Sequence, residues 1–302
     1  MRQNIILLFI VLIFFTACGK KAGQPVTENT LFTNAIVSNN LDYAKINEAS
    51  GLDAGIVNKG KFWTHNDSGG DPEVYLIDSL GKHVGTVILE GLVNRDWEDI
   101  TVGTGPEKDK SYVYVAEIGD NNAVHDVKYI YRFEEPLLQQ DQVLTITAID
   151  TIAFQFDDGK RDSEALMIDD ATSDLYIFSK REKQISLYTL PFPQRTDTFL
   201  IATKQLTMEL TQIVAADFNV VTGEVLLKNY DSVYYWKRNE AESIVELLRN
   251  KAQTLPYEPE PQGESICFDP HGKGYYTVSE EAKGVKPALL FYKRNLINEN
   301  DK

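Results

Sequence analysis

Residues Asp162–Lys180 read DSEALMIDDATSDLYIFSK: a Glu heads a short apolar run (Ala165–Ile168), an Asp-rich turn follows, and a second apolar run (Leu175–Phe178) closes the phrase. Two short apolar runs around a polar turn describe a β-hairpin. The phrase recurs. Glu48 heads EASGLDAG, with KFWTHND after it; Glu98 heads EDITVGTG, with YVYVAEIGD after it; Glu264 heads ESICFDPHGKGYYTVSE. Val214 heads VAADFNVVTGEVLLKNY in the same register. The openings at 48, 98, 164, 214 and 264 lie 50, 66, 50 and 50 residues apart, and a turn former (Asp53, Gly103, Asp169, Asn219, Asp269) stands five residues after each. A fixed period of this size marks a repeat architecture.

Working outward, each hairpin is followed by an aromatic-bearing third run: Val74–Ile77, Tyr129–Phe133, Leu187–Leu190, Val233–Trp236 and Leu289–Tyr292. A more polar fourth run closes the unit, as in Val84–Leu89 and Thr151–Phe156. Four strands per unit, repeated, is the plan of an all-β propeller. The residue after each opening is small or short (Ala49, Asp99, Ala165, Ala215, Ser265), as crowding near a propeller axis requires, and the aromatics fall farther out. No window carries a helical period strong enough for an α/β fold; the best helix candidate is Glu240–Gln253. Five copies imply five blades, with an insertion in the 66-residue step at Asp120–Lys128 and Pro136–Thr147. A sixth blade would need a degenerate copy in the N-terminal segment or in that insertion. The last copy stops at Tyr292 after three strands, so strand-like sequence within Ala35–Ile46 is expected to supply the missing outer strand and leave no open edge.

The formal charge of −15 argues against nucleic acid and anionic lipid surfaces as partners. With 43% apolar residues the chain has ample core material. Only Cys18 and Cys267 are present; Cys267 lies in an apolar run and reads as a buried core residue.

An opening Glu placed before each innermost strand puts Glu48, Glu98, Glu164 and Glu264 on one face, around the mouth of the central channel. Converging carboxylates must be solvated, protonated, paired with Lys or Arg, or bridged by a cation. An all-oxygen set suits Ca²⁺ or Mg²⁺ and not zinc. Alternatively each Glu caps its own blade, bonding the backbone of the next innermost strand. Around this mouth the polar stretches His65-Asn66-Asp67, Asp96-Trp97-Glu98-Asp99 and Gly119-Asp120-Asn121 form a candidate ligand-binding rim: His65, Asn66, Asp67, Asp96, Asp99, Asp120 and Asn121.

Met1–Cys18, MRQNIILLFIVLIFFTAC, has one Arg, an apolar run too short to span a bilayer, and small residues before Cys18. Its end resembles the lipobox of bacterial lipoproteins. That resemblance implies a signal peptide over residues 1–17, lipidation of Cys18, and anchoring in the cell envelope, with Gly19 suggesting the outer membrane facing the periplasm. Residues 18–40 are expected to be a flexible tether, 41–294 the propeller, and 295–302 a polar tail.

The stretches Glu48–Leu52, Trp63–Gly70 (WTHNDSGG), Asp96–Ile100 (DWEDI) and Gly119–Asn121 (GDN) resemble those of a family of bacterial secreted β-propellers. More distantly the chain is similar to SdiA-regulated propellers, calcium-dependent phytases and gluconolactonase-like propellers. From those enzymes the resemblance implies an axial acidic metal site, carried onto Glu48, Glu98 and Glu164; neither the phytase phosphate-binding set nor the gluconolactonase ligand set is recognisable. The expected function is a lipid-anchored, monomeric module that binds a small molecule or an envelope protein, with Ca²⁺ at its acidic mouth. Two rivals are a calcium-dependent hydrolase of phosphoesters or lactones and a structural subunit of an envelope complex.

Overall fold

In the computed structural model, residues 31–35, 37–239 and 242–295 are described. The segment Val37–Asn40 forms strand β1. A first unit holds β2 (Ala49–Ala54), β3 (Lys61–Asn66), β4 (Glu73–Asp78) and β5 (His83–Leu89). The second holds β6 (Trp97–Gly103), β7 (Tyr112–Glu117), β8 (Lys128–Glu134), β9 (Gln142–Ile146) and β10 (Asp150–Phe156). The third holds β11 (Ser163–Asp169), β12 (Asp174–Ser179), β13 (Ser186–Leu190) and β14 (Leu200–Thr207). The fourth holds β15 (Ala215–Asn219), β16 (Glu224–Lys228), β17 (Val233–Lys237), the short helix α1 (Ile244–Leu247) and β18 (Gln253–Leu255). The last holds β19 (Gly263–Phe268), β20 (Gly274–Ser279) and β21 (Ala288–Lys293). Of the expected helix at 240–253, one turn forms, capped by Ser243 and Glu246.

Each unit is an antiparallel meander running outward from its first strand. The first strands β2, β6, β11, β15 and β19 stand side by side, and β19 returns to β2, so they close a ring. The chain is a β-propeller. Its core is divided among the gaps between units because strand side chains alternate between the two faces. On β12, Leu175 and Ile177 pack toward the second unit, while Tyr176 and Phe178 pack toward the fourth. Cys267, fully buried, lies between the last unit and the first.

Three outer connections tie neighbours together. Strand β1 pairs antiparallel with β21, Val37 opposite Phe291 and Asn40 opposite Ala288, which supplies the last unit's outer strand. Strand β9, from the insertion, runs parallel to β5 and adds a strand to the first unit. Strands β10 and β14 pair in parallel and join the second sheet to the third. Residues 37–40, at the end of the span expected to be tether, thus belong to a sheet. Phe32 is 1% exposed, edge-on to Tyr275 at 5.1 Å, because an aromatic at the last unit's outer end gains more from that gap than from water. The expected signal peptide, Cys18 and all of the tail but Asn295 lie outside the described residues.

Candidate functional site

Three of the innermost strands carry a bulge at their first turn of pairing. Ser163 pairs Ser179 and Ala165 pairs Phe178, leaving Glu164 as the extra residue. Glu264 is extra between Gly263 and Ser265, and Glu98 between Trp97 and Asp99. A bulge residue has no partner across the ladder, so its side chain can be re-aimed. Here it is aimed at the mouth. Glu98, Glu164 and Glu264 are 4%, 3% and 5% exposed.

The first unit has its bulge at Gly51, between Ser50 and Leu52. Gly51 has φ 75°, and a Cβ there would meet Ile100 N at 2.7 Å and His65 Nε2 at 2.9 Å. The His65 ring therefore takes the space that a side chain at this bulge would need. Glu48, three residues ahead of the bulge, is exposed and belongs to none of the converging carboxylate groups. The four-Glu ring thus reduces to three Glu residues, joined by aspartates from the loops.

Those carboxylates form a continuous arc. Oxygens of Asp67, Asp96 and Glu98 lie within 4.8 Å of one another, as do those of Glu98, Asp162 and Glu164, and those of Asp67, Glu264 and Glu280. The three groups differ in how they are neutralised. Lys180 Nζ pairs with Glu164, and Asp162 accepts from Arg181 Nε at 2.5 Å and from Asp120 N at 2.7 Å. Tyr230 donates to Glu264, and Gln262 Nε2 donates to Glu280 at 2.7 Å. Among the described residues Glu98 and Asp96 feel burial and neighbouring charges but no side-chain hydrogen bond, and Asp67, bonded by Ser68 N, keeps a buried Oδ1 without a partner. Burial and then Glu164 push Glu98 well above the ordinary carboxylate range. Burial and then Glu264 push Asp67 up to about 7, and burial also raises Asp96.

Asn94 and Gly119 build this group. Asn94, 2% exposed, donates to the carbonyls of Asn66 and Asp67 and accepts from Trp97 N at 3.2 Å, tying the NDSGG loop to the DWEDI strand. Gly119 sits against the carboxylates with no room for a side chain. Gly119 is marked in the sequence only by the GDN stretch and Asn94 by no motif; Asp162 opens the repeated phrase and Glu280 ends its last copy.

The remaining rim residues have other tasks. His65 is fully buried; Nδ1 lies 2.8 Å from Asn66 O, and burial pushes the ring down to about 4, so it is neutral. Asn66 bonds Glu48 N and Lys45 O and fastens the loop. Asp120 accepts from Val124 N, His125 N and Lys128 Nζ and closes its own turn, while Asn121 is exposed. Asp99 faces the channel: Oδ2 accepts from Leu166 N at 2.9 Å and from Ala216 N at 3.4 Å. Asp53 reaches Val102 N at 2.6 Å and Asp217 reaches Phe268 N at 2.6 Å. Capping of neighbouring innermost strands is therefore done by aspartates inside the channel, and the Glu residues are left to the mouth.

No family model matches the chain, and no curated protein matches it. Among solved structures it is similar to the PQQ-bound form of aldose sugar dehydrogenase from Streptomyces coelicolor, at 9% identity and TM-score 0.46, over 85% of this chain and 98% of that one. It is also similar to the Dos1 propeller, at 11% identity and TM-score 0.37, over 83% of this chain and 60% of that one. Likeness of this degree concerns fold alone.

Proposed function

We propose that this propeller is a binding module whose acidic mouth holds one divalent cation, Ca²⁺ by the chemistry of its ligands, on Asp67, Asp96 and Glu98. The observation that carries the reading is the Glu98 carboxylate: 4% exposed, without a hydrogen-bonding partner among the described residues, and within 4.8 Å of carboxylate oxygens of Asp67 and Asp96. A buried charge left unpaired is costly, and a hard cation with oxygen ligands relieves it. The WTHNDSGG, DWEDI and GDN stretches supply Asp67, Asp96, Glu98 and Gly119, which favours membership of the secreted propeller family with those motifs. The bound ion would offer open coordination positions to an oxygen-bearing ligand, a small molecule or an envelope protein. We further infer that lipidated Cys18 anchors the module to the outer membrane, facing the periplasm.

Calcium titration of the purified protein, followed by thermal melting, tests this reading. Saturable binding with a rise in melting temperature is expected; no binding at millimolar Ca²⁺ contradicts it. Screening phosphate esters and lactones with the loaded protein separates the module from a calcium-dependent hydrolase, which would need a metal-activated water.

A further inference from the structure

The end of the channel away from the acidic mouth opens into a cavity of about 320 Å³, enclosed by the far ends of the innermost strands and the hairpins after them. Its floor holds Asp53 and Asp217, each 8% exposed. Ile168, Phe218 and Phe268, all buried, form its apolar wall, with Thr101, Asp170 and Asn219 beside them. Two apolar side chains, Ile56 and Val221, stand 46% and 91% exposed at its rim.

We propose that this cavity binds a small organic cation, an ammonium group on an apolar or aromatic body, with the ammonium between Asp53 and Asp217 and the body against Phe218 and Phe268. Each carboxylate offers about four lone-pair sites. Asp53 uses three, for Ala54 N, Thr101 Oγ1 and Val102 N, and Asp217 accepts from Phe268 N, so acceptor capacity remains at both. Two acids at one apolar floor cannot both stay ionised without a shared proton or a cation between them. Burial, and then Asp217, push Asp53 well above the ordinary carboxylate range.

The walls select among cations. A divalent ion requires six to eight oxygen ligands or retained waters, and here Ile168, Phe218 and Phe268 take up one side of the shell that those ligands would fill. An ammonium is satisfied by a few acceptors, and its apolar body gains from leaving water. The other titratable side chains lining the cavity are Lys59 and His271, both exposed, and Asp170, whose Oδ1 is held by Thr104 N at 2.8 Å.

Isothermal titration of the full chain with benzylamine, with benzyl alcohol as the neutral control, tests the proposal. Benzylamine is expected to bind at least tenfold more tightly than the alcohol, to be undisturbed by saturating Ca²⁺, and to weaken tenfold or more in Asp217→Asn, which keeps an oxygen for Phe268 N. Should Asp217→Asn fail to fold, Val221→Arg places a positive charge at the exposed rim and is expected to weaken the amine severalfold while sparing the alcohol. Equal binding of amine and alcohol would reduce the cavity to an apolar hole. Absence of amine binding at millimolar concentration, or its displacement by Ca²⁺, would equally overturn the proposal.

Discussion

A Cβ placed on Gly119 would stand 2.0 Å from Glu98 Oε1 and 2.5 Å from the Asp96 carboxylate. The GDN turn is thus packed against the proposed metal ligands with no space for even a methyl group. Gly119→Ala should push both carboxylates out of place. The expected result is a loss of at least tenfold in Ca²⁺ affinity by titration, with a stability cost of about 1–3 kcal/mol from overpacking.

Glu98 and Glu48 separate the mouth from its rim. Glu98→Gln removes a buried, unpaired carboxylate, so it should lower Ca²⁺ affinity tenfold or more and raise the melting temperature of the metal-free protein. Glu48→Gln, at an exposed position outside the carboxylate groups, should change neither. The same titration and melts on both variants check this pair.

Asp99 tests the division of labour between caps and mouth. Its carboxylate serves two buried amides from different units, so Asp99→Ala should cost about 2–4 kcal/mol in denaturant unfolding. Asp99→Asn, which keeps an acceptor oxygen, should cost less. Ca²⁺ affinity of the folded variants should stay within a factor of a few of the parent.

Stability should depend on pH with two limbs of opposite cause. Asp67 is raised to about 7, and Glu164 and Glu280 to about 8, each mainly by burial. Groups with raised folded values contribute stability that is complete near pH 4 and is lost as pH climbs through 7 to 8. His65 has the reverse sign: lowered from 6.5 to about 4, it contributes stability present above 6.5 and lost as pH falls toward 4. Between pH 4 and 6.5 three carboxylates outweigh one imidazole, so melting temperature should fall as pH rises from 4 to 8, more steeply above 6.5. Added Ca²⁺ should lift the alkaline end, and His65→Gln should steepen the fall below 6.5.

Phe32 reports on ring closure. Burial against Tyr235 and Tyr275 makes it part of the core, so Phe32→Ala should cost about 3–5 kcal/mol in denaturant unfolding. An unchanged midpoint would mean that the segment before β1 does not belong to the fold.

Much of the fold was legible because strand alternation and Asp/Gly turns repeat at a nearly fixed period, and the unpaired edge of the last copy demanded an N-terminal strand. The site was legible only by stretch. The motif containing Asp67 and the one containing Asp96 and Glu98 were recognisable, yet their division into proposed metal ligands and rim was not, because a bulge inserts a residue that counting along the repeat cannot see. Aligning on the letter Glu chose Glu48, whereas the structural counterpart is Gly51, whose side-chain space His65 fills. Asp99 lies one residue past its bulge, so it faces the channel and caps strands. Lys180 and Arg181, which silence Glu164 and Asp162, act from a strand exit whose direction only the closed ring defines.

The central claim is tested most directly by anomalous diffraction from crystals of this protein soaked in Mn²⁺, used as a stand-in for Ca²⁺. One peak is expected within coordination distance of the Asp67, Asp96 and Glu98 carboxylates, absent in Glu98→Gln. A peak seated instead on Glu164 and Asp162, or no peak at the mouth at saturating metal, would contradict it.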